Sequence, residues 1–165
     1  MLLDVMRRSD IRKFFCLSFA ERVSFFEALV LLYFYKVLVV IFPIKWLMRW
    51  SSFTFRAVKS DPETVSTKEY QIIQSVSDGI QRAGRLTCWK KSICLINAFA
   101  AVAMLRRRGI SSNVVLGVAK EEEKLIAHAW VEYGGLGVVG LEIAKDYSPL
   151  ATLSAPLDSE ASTHE

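Results

Sequence analysis

At Gly109 the hydrophobic period of this chain changes, and the change limits the architectures open to it. Upstream, in "SICLINAFAAVAMLRRRGI" (residues 92–110), Leu95, Phe99, Val102 and Leu105 recur at helical spacing. Ser92 suits an N-cap, and three arginines followed by Gly109 make a natural helix end, with the cations at the negative pole of the helix dipole. Downstream, the pattern becomes extended over "SSNVVLGV" (111–118), "LIAHAWVEY" (125–133) and "LGVVGLEI" (136–143). "KEEEK" (120–124) reads as the polar turn before the second segment, and Gly134-Gly135 as a hairpin connection before the third. A helix over 94–108 followed by antiparallel strands predicts an α+β domain.

The 91 positions before this run are less uniform. Residues 23–42, "VSFFEALVLLYFYKVLVVIF", are the most apolar stretch. A membrane-spanning helix needs about 20 predominantly apolar residues, yet this run contains Glu27 and Lys36, and no small-residue cleavage site follows it. The expectation is a buried or interfacial helix ended by Pro43, with peripheral contact to a membrane left open. Residues 51–66 read as a connector, and Tyr70, Ile73, Val76 and Ile80 space a second helix over 66–83. The expected organisation is an N-terminal helical segment over 1–60 (apolar helix at 20–42), a core over 61–152 and a flexible acidic tail over 153–165.

With 165 residues, 52% of them hydrophobic, the chain has material for one core and is not a disordered polymer. Its net charge of +4 is dilute and gives no nucleic-acid footprint, although the first 60 residues are basic and the tail acidic. Cys16, Cys88 and Cys94 cannot all pair and form no CxxC, and His128 and His164 are the only histidines. Neither a disulfide scaffold, a structural zinc site nor any other cofactor is expected, and free thiols point to a reducing cytoplasm.

Cys94 opens the helix. A thiol attacks as thiolate, and the first turn of a helix, with unpaired N–H groups and the positive pole of the dipole, favours that anion. The competing reading is a small apolar residue entering a core. His128 lies mid-strand in "AHAW", where an imidazole is a costly choice without a partner. Cysteine at a helix start, then strands, then histidine is the order needed for Cys-His acyl transfer. Across the hairpin, Gly140 and Glu142 have the parity to face His128; Glu142 is the acid chosen to orient it, with Asp146 as the alternative and a solvated strand end as the competing reading. For the oxyanion, the Cys94 amide is the default donor and the Trp89 indole a second, unless Trp89 packs under the helix.

The run from Trp89 through Cys94-Leu95, "LRRRGI" (105–110), "VVLGV" (114–118) and "AHAWVE" (127–132) resembles the transglutaminase-like, papain-related leader peptidases of lasso-peptide biosynthesis. The resemblance is specific over about 45 residues, and a weaker one extends into residues 20–50. It implies a transglutaminase/papain-like core and a cysteine protease that removes the leader of a ribosomally made precursor before macrolactam formation. Carried over by position, Cys94 is the nucleophile and His128 the base, while the family's aspartate falls at Gly140. Glu142 is therefore a substitute, and a dyad oriented by a carbonyl or water is the other arrangement. The implied partners are the precursor peptide, a separate leader-recognition protein and an asparagine-synthetase-like cyclase. A transglutaminase-like acyltransferase and an inactive membrane-associated adaptor of the same fold are the alternatives.

Overall fold

Two Ser-x-x-Glu boxes start the first two helices. Helix α1 spans Phe19–Ile41: Ser18 accepts the Glu21 amide, and the Glu21 carboxylate accepts the Ser18 N–H at 2.9 Å. Helix α2 spans Thr67–Leu86 and repeats the device with Ser66 and Glu69. The backbone N–H and hydroxyl of Ser66, then the Tyr133 hydroxyl, hold the Glu69 carboxyl below the usual carboxylate range. Helix α3 spans Ile93–Arg106 and ends where Gly109 takes a positive φ of 73°. The amide of Ile110 then closes back on the Leu105 carbonyl at 3.0 Å. The computed structural model describes residues 18–43, 54–55, 65–87, 93–121 and 124–155.

The strands are β1 (Thr54–Phe55), β2 (Ser112–Glu121), β3 (Lys124–Tyr133), β4 (Leu136–Val139) and β5 (Ser148–Ala155). They form one antiparallel sheet in the order β1-β5-β2-β3-β4. Gly134 and Gly135, both at positive φ, make the two-residue turn between β3 and β4, as the sequence predicts. Three expectations are corrected. β4 stops at Val139 instead of running to 143, because Gly140 turns left-handed and starts a 3-10 helix over Leu141–Asp146. The segment read as a connector contributes β1. β5 adds a strand to those expected; it continues past 152, and its Leu153 is fully buried, so residues 153–155 belong to the sheet and not to a tail.

α3 lies between the sheet and the other two helices, which explains why it is apolar on nearly every side. Phe99, Ile96, Met104 and Leu105 are buried with Val114, Ala129, Val131 and Leu153 of the sheet and with Leu32, Ile73, Val76 and Ile80 of α1 and α2. A fully buried side chain of this size contributes about 1.5–3 kcal/mol. Glu27, the acid in the apolar run, is 13% exposed and gripped by Arg108 at 2.7 Å and Arg107 at 3.1 Å. Two of the three arginines at the end of α3 therefore tie it to α1, and Arg108 also donates to the Met104 carbonyl at 2.8 Å.

The opposite face of the sheet is covered differently. From the edge at β4 the chain crosses over β3 and β2 as the 3-10 helix and returns as β5 on the far side. Beneath the crossover, Val115, Trp130, Ala144 and Tyr147 form a second, small cluster.

Candidate active site

Cys94 is the second residue of α3, half-buried and free. Its amide belongs to the first turn, where N–H groups have no intrahelical acceptor. Ser92 as cap and Trp89 as oxyanion donor lie outside the described residues, as do Cys16, Cys88 and His164.

His128 sits mid-β3 opposite Gly117. The period of two places it and Trp130 on the crossover face, while Ala129 and Val131 point to the helices. The imidazole is only 8% exposed, stacked near Trp130 (ring centroids 6.0 Å apart) and tilted against Tyr147 (5.1 Å). Gly117 makes this layer possible, since a Cβ there would come within 2.8 Å of the Trp130 ring. The ring's Nε2 lies 2.8 Å from the carbonyl oxygen of Gly140. A carbonyl only accepts, so Nε2 carries the proton, and in the neutral imidazole Nδ1 is left with its lone pair. Tying one ring nitrogen to a fixed acceptor sets the tautomer.

Gly140 thus contributes its backbone at the position where the resemblance puts an acid. Its φ is 78°, and an added Cβ would lie 3.0 Å from the Ala129 oxygen and 3.1 Å from His128 Nε2. Backbone conformation and space both favour glycine here. Glu142 does not face His128: it is exposed on the 3-10 helix, and neither it nor the exposed Asp146 is hydrogen-bonded to the imidazole. Only a strand continuing through 140 would bring Glu142 to the His128 face, and the turn at Gly140 ends that strand.

No hydrogen bond joins the Cys94 thiol to His128 among the described residues, and α3 packs on the sheet face opposite the imidazole. One turn after Cys94, Asn97 buries a side-chain oxygen that has no partner among the described residues. The sequence signal for it is plain afterwards: an amide in an otherwise apolar helix, three residues from the thiol. A pocket of about 450 Å³ lies beside the Gly140 turn, lined by Ser77, Val139, Gly140, Glu142 and Lys145 among others, with Cys94 not part of its wall. Among the described residues no three or more His, Cys, Asp or Glu side chains gather as a metal site.

No curated protein and no solved structure matches the chain significantly. A sequence model described as the transglutaminase-like superfamily matches residues 38–152, well over half of the chain and a span that holds Cys94, His128 and Gly140. With the α+β fold, a cysteine in the first turn of its central helix and a histidine on the following sheet, the chain belongs to the transglutaminase-like superfamily.

Proposed function

We propose that the protein is a cysteine peptidase that removes the leader from a ribosomally made lasso-peptide precursor, in the cytoplasm and before macrolactam formation. The superfamily includes cysteine proteases and acyltransferases. The observation that carries the reading is the His128 Nε2–Gly140 carbonyl bond, which leaves Nδ1 as the basic nitrogen. The finer assignment to lasso-peptide maturation rests on the residues from Trp89 to Glu132.

The reaction asks the following of these groups, and the approach of thiol to imidazole is part of the proposal. Nδ1 takes the Cys94 proton, and the thiolate adds to the scissile carbonyl carbon. The Cys94 amide stabilises the oxyanion. Collapse breaks the C–N bond as the imidazolium gives its proton to the leaving amine, the core N-terminus. Water, deprotonated by His128, then cleaves the thioester and releases the leader carboxylate. Throughout, the Gly140 carbonyl holds the imidazolium through Nε2–H. A neutral acceptor makes a weaker bond to a cation than a carboxylate would, so the dyad forgoes part of the stabilisation that an acid at 140 supplies. A separate recognition protein presents the leader, and an asparagine-synthetase-like cyclase takes the product.

The test incubates precursor and recognition partner with wild type, Cys94→Ala and His128→Ala, and follows products by mass spectrometry. Each variant should lose about a thousandfold or more in rate. Retained cleavage by either sinks the assignment, and an isopeptide mass in place of a free leader carboxylate shows transfer to an amine. The placement of His128 on the sheet face away from α3 favours a second reading, a non-catalytic adaptor of the same fold; a Cys94 thiol inert to alkylating reagents near neutral pH would select it.

A further inference from the structure

α1 is apolar on both of its faces, but only one of them is covered. Phe25, Ala28, Leu31 and Leu32 are buried against α2 and α3. On the opposite side Phe19, Val23, Phe26, Val30, Phe34 and Val37 are between 46 and 78% exposed. At 100° per residue these six fall within an arc of about 80°, a continuous ridge along a helix about 35 Å long. A soluble surface rarely shows an apolar patch of this extent without a partner.

Charge narrows what the partner is. Both acids of α1 are turned to arginines of the fold: Glu21 to Arg82 at 3.3 Å, and Glu27 to Arg107 and Arg108. The ridge therefore presents no unpaired carboxylate. In the sequence, Arg7, Arg8, Arg12 and Lys13 precede the helix, and Lys45 and Arg49 follow it, interleaved with Trp46 and Trp50. The first 60 residues hold ten basic and four acidic side chains, against eleven and thirteen in the rest. Tryptophan with lysine and arginine flanking an apolar helix is the composition of a membrane-interface segment. Two copies of this chain meeting through α1 would instead bring two basic segments together.

We infer that α1 docks the protein on an anionic lipid surface, lying in the plane of the interface with its exposed ridge among the acyl chains. The helix is long and apolar enough to cross a bilayer. Crossing would strip Ala28 and Leu32 from the core they share with α2 and α3, so the buried face argues for the in-plane arrangement. Docked this way, the sheet face that carries His128, turned from the helices, faces water. The inference concerns binding alone and stands apart from the peptidase reading.

The experiment is flotation of the full chain with phosphatidylcholine vesicles, with and without phosphatidylglycerol. Wild type should float with the anionic vesicles, less with pure phosphatidylcholine, and less as salt rises. Val30→Glu/Val37→Glu should lower partitioning by about a hundredfold with the thermal transition unchanged, since both side chains are exposed. The uncharged Val23→Ser/Val30→Ser pair should give a smaller loss, which guards against misfolding of the first variant. The inference is overturned if wild type stays at the bottom of the gradient or if both variants float like wild type. Retention after alkaline carbonate, the mark of a spanning helix, also overturns it, as does a vesicle-free dimer that the same substitutions dissolve.

Discussion

On the helix side of β3, Ala129 and Val131 are buried under α3 among aliphatic and aromatic side chains; on the other side, His128 and Trp130 are nearly as buried beneath a short 3-10 helix. Similar burial is held by different means. The helix side is held by area, with many contacts of low direction. The crossover side is held by a few directed bonds: His128 Nε2–H to the Gly140 carbonyl, and Trp130 Nε1–H to Glu132 at 2.6 Å. Area-based packing resists small shifts and tolerates none of the chemistry, whereas a bonded aromatic layer orients one imidazole and depends on each bond.

The two sides should therefore break differently. Phe99→Ala, on the helix side, should cost about 3–5 kcal/mol by denaturant unfolding, because a fully buried ring leaves a cavity. A loss below 1 kcal/mol would show that α3 is not the centre of the core. Gly140→Ala, on the crossover side, should cost about 1–3 kcal/mol, since it forces a side chain into a left-handed conformation. It should also lower the cleavage rate out of proportion to stability, as the new methyl presses on His128 Nε2; an unaltered rate would remove Gly140 from the positioning of the imidazole. Gly140→Asp should meet the same obstruction and fail to raise activity. Glu142→Gln should change stability by less than about 0.5 kcal/mol and leave the rate unchanged, because the side chain is exposed and unbonded to His128. A marked loss of rate there would return the orienting role to the acid.

Much of the helical layer is legible in the chain. Ile73, Val76 and Ile80 mark the buried side of α2, and Leu95, Phe99, Val102 and Leu105 are all buried in α3. The boxes Ser18-x-x-Glu21 and Ser66-x-x-Glu69 mark two helix starts that hydrophobic periodicity alone places less sharply. β5 is harder to read: "SPLATLSA" holds a proline and few β-branched residues, and it becomes a strand through pairing with β2. Pairing partners 30 to 43 residues away leave no local trace.

Cys94 and His128 could be picked out because each is a reactive side chain where local periodicity expects an apolar one. Helix order, the hairpin at Gly134-Gly135 and the α+β class follow equally from local spacing and turn chemistry. What holds His128 could not be picked out that way. Its partner is a backbone carbonyl, which every residue possesses, and only the left-handed turn at Gly140 aims that carbonyl at the ring. The same holds for α1: apolar residues lie on both of its faces, and only packing against α2 and α3 decides which half is core and which half is left facing outward.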